Sequence, residues 1–182
     1  MRDGPWLVYG AYGVTGRLIA ERARRSGHRL MLAGRDPQRV RELAQQLGCE
    51  HAVVELGDRD GLERVLRRCA LVFHTAGPFR VTTDPMLDAC LATRTSYVDV
   101  SGELSSFEEL DARDESAREA GIALIVGAGF AVAAGECLAL HVARQLEAPR
   151  ELVLSIAAGN ARRSVGAMRS TFEVLGRGGT SV

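Results

Sequence analysis

Lysine is missing altogether. All 23 basic residues among the 182 are arginine. That excludes a Schiff-base lysine, the lysine of a Walker A phosphate loop and the Tyr-x-x-x-Lys pair of short-chain dehydrogenases. Cysteine is sparse: Cys49, Cys69, Cys90 and Cys137 stand far apart with no C-x-x-C among them, so no thiolate metal clamp is spaced here and no metal is expected. They read as reduced thiols, mostly buried as small hydrophobes, with Cys137 the one that retains a claim to chemistry. Net charge is absent too. The 23 acidic residues balance the arginines, which leaves no electrostatic case for nucleic acid or an anionic membrane as partner. No apolar run approaches the ~20 residues of a membrane span, and the start lacks the basic and apolar regions of a secretory signal. A cytoplasmic protein is the expectation. Long linkers, repeats and low-complexity tracts are also missing.

What is present begins near the N-terminus. An apolar run, Trp6-Leu7-Val8-Tyr9, enters Gly10-Ala11-Tyr12-Gly13-Val14-Thr15-Gly16, and a helical pattern leaves it. The spacing is G-x-x-G-x-x-G, a variant of the dinucleotide fingerprint. Gly10 allows the tight exit from the strand, Gly13 lets main-chain N–H groups approach a pyrophosphate, and Gly16 lets helix and strand lie close. The helix N-terminus, with its unpaired N–H groups and dipole, then faces the phosphates. A glycine-rich turn without ligand has the same local pattern, so the surroundings matter.

Those surroundings alternate strand and helix six times. A helix over 14–26 has Val14, Leu18 and Ile19 on its apolar face and Gly27 as its stop. A strand over 29–33 ends in Gly34-Arg35-Asp36-Pro37. NAD-binding folds place an acidic residue about 20 positions past the glycines to hold the ribose hydroxyls. Here Gly34 and Arg35 stand there, which suits the 2′-phosphate of NADP(H) over NAD(H); Arg35 as a solvated surface residue is the plain alternative. Asp36 before Pro37 reads as a helix N-cap. The next helix shows Val40, Leu43, Ala44 and Leu47, closed by Gly48; then come a strand over 51–54 and a helix with Leu62, Val65, Leu66 and Cys69. Asp58 caps that helix, lies near the adenine, or does both. The strand over 70–74 is apolar throughout, as buried parallel strands are, and empties into Thr75-Ala76-Gly77-Pro78-Phe79. His74 is a proton donor or simply the strand's last residue. A helix over 84–93 starts at Asp84-Pro85. A strand over 96–100 leads into Ser101-Gly102-Glu103, which brings Asp99 and Glu103 to one sheet edge as a pair for acid–base work; the favoured plain reading is that Glu103 caps the following helix or bonds backbone. One helix over 105–120, closed by Gly121, precedes a strand over 122–126 that empties into Gly127-Ala128-Gly129-Phe130. A helical pattern around Cys137, Leu138, His141, Val142 and Leu146 follows, then Pro149 as a boundary and a strand over 151–156. Residues 157–182 lose this regularity.

The fold implied is α/β: a Rossmann-type, doubly wound parallel sheet with helices on both faces over 1–148, and the incomplete start of a second α/β domain over 149–182.

The glycine loop, Leu32-Ala33-Gly34-Arg35, His74–Phe79, Ala89-Cys90, Tyr97–Glu103 and Gly127–Phe130 together resemble the saccharopine dehydrogenase-like oxidoreductases, and within them the bacterial branch often labelled trans-acting enoyl reductases. The likeness runs over about 5–146. It implies a Rossmann NADP-binding domain followed by a substrate and dimerisation domain, hence a homodimer. It implies cofactor contacts from Gly10, Tyr12, Gly13, Val14, Thr15, Gly16, Gly34, Arg35, Asp58, Thr75, Ala76, Gly77, Pro78, Phe79, Gly102 and Gly127. Glu103, Gly129 and Phe130 approach the substrate, a small or lipid-like molecule with a carbonyl, imine or activated alkene. Two departures stand out. Where the family has an aspartate and then a Pro-Ser-Asp-like step, this chain reads Ala131-Val132-Ala133-Ala134-Gly135-Glu136, a small apolar surface suited to a different substrate. Full members are also considerably longer. Glu103, Tyr97 and His74 are candidate proton donors, with water or the absent domain as an equal source, and the other reading of the chain is an NADP-binding sensor without turnover, as in NmrA-like proteins.

Overall fold

The computed structural model describes residues 3–155 and Met168. Six strands form one all-parallel sheet: β1 (Trp6–Tyr9), β2 (Leu30–Gly34), β3 (Glu50–Val53), β4 (Leu71–His74), β5 (Ser96–Asp99) and β6 (Leu124–Ile125), in the order β3-β2-β1-β4-β5-β6. Tyr9 registers with Ala33 on one side and His74 on the other, and His74 with Asp99. The C-terminal ends of the central strands therefore finish at one edge, and the order reverses beside β1, where ligands bind in such sheets.

Helices cover both faces. On one, α1 (Val14–Arg25) and α2 (Pro37–Leu47) pack on Val8, Leu30 and Leu32. On the other, α3 (Arg59–Leu66) and α4 (Phe79–Thr93) pack on Leu7, Met31, Val72 and Tyr97 through Leu62, Leu66, Met86 and Leu87. Asp36 caps α2 by accepting from the N–H groups of Gln38 and Arg39, and Gly48 closes that helix in the left-handed conformation. Asp58 caps α3 through Gly61 N–H at 2.9 Å. Both caps are as the sequence predicts.

Four expectations are corrected. The buried face of α1 is Gly16, Ala20 and Ala23, while Val14 and Leu18 are 62% and 61% exposed; the helix lies too close to the sheet for larger side chains. α4 starts at Phe79 rather than Asp84, and Pro85 sits inside it. The single helix over 105–120 is two, α5 (Leu104–Asp111) and α6 (Asp114–Ala120). The break falls at Arg113, whose guanidinium turns to Asp84 and Asp88 of α4 and to the Glu109 carbonyl. Residues 151–155 form no strand, and the rest of that stretch and of 157–182, Met168 apart, lies outside the described residues. After β6 the chain makes a π-helical turn, Phe130–Ala134, and α7 (Gly135–Ala143). Leu138, Leu140 and Leu146 there are exposed.

Candidate cofactor site

The β1–α1 loop crosses the sheet edge where the strand order reverses. Gly10 has φ +79°, a conformation that favours glycine, and a Cβ there would lie 3.0 Å from both Ala76 N and Thr75 Oγ1. The β4–α4 loop is drawn against this turn: Thr75 donates to Tyr9 O from its N–H at 3.0 Å and from its hydroxyl at 2.8 Å. At Gly16 a Cβ would enter the space of Gly10 O and lie 2.7 Å from Thr75 Oγ1. Gly13 is the N-cap of α1 in an extended conformation. No side chain caps the helix and no acidic residue lies in its first turn. The N-terminus of α1 is thus an uncancelled positive end lined by main-chain N–H groups, as a diphosphate requires.

Next to it, at the end of β2, the ring of Tyr12 lies over Gly34, where a Cβ would be 2.6 Å from Tyr12 Cε1. Arg35 is exposed and follows directly. The carboxylate beside it, Asp36, is committed to capping α2, so none there is aimed at a ribose.

On the other side of the switch point, Glu103 reaches from the β5–α5 loop to the start of α4. Its Oε1 accepts from Phe79 N–H at 3.3 Å and its Oε2 from Arg80 N–H at 2.8 Å. The carboxylate thus bonds backbone of α4 and makes no side-chain cap to α5. Thr82 secures the same loop from inside by donating to Ala76 O at 2.7 Å.

The model of the saccharopine dehydrogenase NADP binding domain family matches residues 6–125. The chain belongs to that family. NADP(H), in preference to NAD(H), is accordingly its cofactor. The trans-acting enoyl reductase of Mycobacterium tuberculosis is 33% identical over 137 residues, covering 71% of this chain and 33% of that protein. A probable mitochondrial saccharopine dehydrogenase-like oxidoreductase of Arabidopsis thaliana is 27% identical over 160 residues, covering 79% of this chain and 35% of the relative. Apo saccharopine dehydrogenase (L-Glu forming) from Saccharomyces cerevisiae shares the fold at TM-score 0.68 and 16% identity, over 78% of this chain and 31% of that one. The chain spans about a third of the length of the curated relatives it matches.

The residues present fit the family's cofactor. The glycine cradle that a Cβ would fill, the uncapped α1 and the arginine at the end of β2 are what a dinucleotide with a 2′-phosphate needs. On the β4 side of the switch point the sequence-predicted residues Thr75, Ala76, Gly77, Pro78, Phe79 and Gly102 share the sheet's C-terminal edge. Gly127 is also there, with φ +70° and a Cβ position only 2.8 Å from Phe107 Cζ. Phe130 stands out into solvent at 86% exposure, and Gly129 backs onto the Val100 carbonyl. Asp58, on the β3–α3 loop, caps α3 through Gly61 N–H.

The acid–base candidates separate. His74 is fully buried in the sheet and its pKa falls to about 3 because burial penalises the imidazolium. Its Nε2 bonds Thr82 Oγ1 at 3.0 Å and its Nδ1 has no partner. Since Thr82 donates its own proton to a carbonyl, Nε2 carries the imidazole hydrogen. Tyr97 is fully buried, donates to Asp99 Oδ2 at 2.7 Å, and burial beside that carboxylate pushes its pKa far up. Both side chains are sealed from solvent. Asp99, paired with Glu103 in the sequence reading, is sealed as well. Its Oδ1 accepts from Ser101 N–H (3.0 Å), Ser101 Oγ (2.9 Å) and Gly127 N–H (2.9 Å). Asp99 is a structural pin holding the β5 and β6 loops together. That role was invisible in sequence because its main-chain partner Gly127 lies 28 residues on. Sequence reasoning also passed over Arg39. Its guanidinium lies 4.5 Å from the Tyr12 ring centroid, and only its place in the first turn after Arg35 hinted at this.

Proposed function

We propose that the chain is the cofactor-holding portion of an NADP(H)-dependent oxidoreductase, acting on a small or lipid-like compound with a carbonyl, imine or activated carbon–carbon double bond. The carrying observation is the uncapped, acid-free N-terminus of α1 behind its glycine cradle, with Arg35 beside it. The cofactor supplies the hydride chemistry when bound. The chain's residues position it. The glycine loop and α1 receive the diphosphate, Arg35 the 2′-phosphate, and the loop from Thr75 to Phe79, braced by Glu103, borders the nicotinamide half. The apolar Phe130–Ala134 turn forms a substrate-side surface for an uncharged, lipid-like group, a reading supported by the name of the mycobacterial relative. We assign no general acid to His74 or Tyr97. The proton comes from water or from the remainder of a longer protein, whose substrate and dimerisation domain would begin near 149. A cytoplasmic site of action and a homodimer belong to the same reading. A sensor without turnover is less well supported, because the named relatives are oxidoreductases.

Titration with NADPH and NADH tests this reading. NADPH is expected to bind at least tenfold more tightly, about 1.4 kcal/mol, which is within the reach of one guanidinium–phosphate contact. Arg35→Asp is expected to abolish the difference. Equal affinity for the two nucleotides, or no effect at Arg35, would remove the 2′-phosphate assignment.

A further inference from the structure

Several arginines in this chain hold carboxylates. Arg17 holds Glu21, Arg59 and Arg67 hold Glu63, Arg68 holds Glu50, and Arg113 holds Asp84 and Asp88. Arg35 and Arg39 make no ion pair among the described residues, and they flank the junction of β2 and α2. Arg39 is held by other means. Its guanidinium stacks on Tyr12, 4.5 Å from the ring centroid, and its Nη2 donates a long 3.5 Å hydrogen bond to Tyr12 O. Tyr12 in turn is seated on Gly34, at the very end of β2. Glu42, the carboxylate lining the same small crevice, accepts from Gln38 Nε2 at 2.9 Å.

This arrangement has a physical consequence. An aromatic face and a carbonyl orient a guanidinium without cancelling its charge, so its planar donor edge stays available to an anion. The N-terminus of α2 is already served by the Asp36 carboxylate, which accepts from Gln38 and Arg39 N–H, so what draws an anion here is the oriented guanidinium alone.

The geometry points to Arg39 as a second specificity-determining residue for the cofactor: with Arg35 it brackets the adenosine 2′-phosphate, and Tyr12 is the platform that holds it in place. This rests on the reading of the β1–β2 end as the adenosine side of the site. A phosphate monoester carries close to two negative charges near neutral pH, more than one exposed guanidinium neutralises. Two guanidiniums, one on the strand end and one fixed on an aromatic ring, match that charge.

Calorimetric titration of the purified chain with NADPH, NADH and adenosine 2′,5′-bisphosphate tests the assignment. Arg39→Gln is expected to weaken NADPH and the bisphosphate tenfold or more while shifting NADH less than twofold. Tyr12→Leu, which removes the platform and keeps the charge, is expected to cost NADPH at least threefold. Arg41→Gln, an exposed arginine two positions along the same helix, serves as the charge control and is expected to leave all three ligands unchanged. Equal losses for NADPH and NADH in Arg39→Gln would make Arg39 a brace for Tyr12 and overturn the proposal, as would an Arg41→Gln loss as large as that of Arg39→Gln. If the wild type prefers NADPH and Arg39→Gln leaves that preference intact, Arg39 alone is refuted. If the wild type shows no preference, the 2′-phosphate assignment of Arg35 falls with it.

Discussion

Replacing Asp99 by asparagine keeps shape and volume and removes one charge, at a site where the charge has work from four sides. The buried carboxylate accepts from Ser101 N–H, Ser101 Oγ, Gly127 N–H and Tyr97 OH. Hydrogen bonds to a charged group contribute about 1.5–3 kcal/mol each and neutral ones about 0.5–1.5. Neutralising the acceptor therefore loses about 1 kcal/mol per bond, and the amide nitrogen now faces Tyr97 Oη. The lower cost of burying an amide than a carboxylate offsets part of this. A net loss of about 2 kcal/mol remains, which for a chain of this size lowers Tm by roughly 4–8 °C. Asp99→Ala removes the acceptor of all four donors and is expected to cost about twice as much. Thermal melts followed by circular dichroism measure both. Asp99→Ala also frees Gly127 N–H from β5, so its NADPH affinity is expected to fall alongside stability. An Asp99→Asn protein melting within 1 °C of wild type would show that the four bonds are not charge-assisted, and would sink the pin assignment.

His74 makes acid stability a second test. Its folded pKa is about 3, against 6.5 for the free imidazole. Between those values the unfolded chain binds the extra proton, so this group's contribution is intact above pH 6.5 and is lost as pH falls toward 3. At pH 5 the loss is about 2 kcal/mol, from 1.36 kcal/mol per pH unit below 6.5. Urea unfolding of wild type and His74→Gln across pH 4–7 is expected to show a shallower acid decline in the variant; parallel curves would contradict it. Glu103→Gln weakens the acceptor for Phe79 and Arg80 N–H and is expected to cost about 1 kcal/mol, as loss of a helix cap does. Hydrogen exchange is expected to accelerate in residues 77–82 and not in α2; uniform exchange would refute a local clamp.

What sequence revealed, and what it did not, divides by the distance between partners. α2 was readable in full because its cap, its apolar stripe and its left-handed stop are consecutive, from Asp36 to Gly48. The glycine turn was readable for the same reason. α4 was not, because its first N–H groups are satisfied by Glu103, more than twenty residues away, while the local Asp84-Pro85 pair mimics a start. The break at Arg113 depends on aspartates of another helix. α1 misled in a different way: its close seat on the sheet is made by small residues, so the large apolar ones that catch the eye are those left outside. Asp99 was noticed for acid–base chemistry and proved to be architecture, a distinction that only burial and a donor count reveal.

On the proposed reading, the clamp by Glu103 also sets which way a dinucleotide lies. α1 and α4 both begin at the sheet edge near the switch point, and an anion is drawn to either start by the same dipole. At α4 a carboxylate of the chain itself already occupies that berth; at α1 no side chain does. One helix end is left to anchor the pair of phosphates, with arginines on its β2 side and a closed, neutralised turn on its β4 side. On the proposed reading the molecule thereby acquires a polarity, adenosine toward β2 and nicotinamide toward β4, from a carboxylate held on backbone N–H groups.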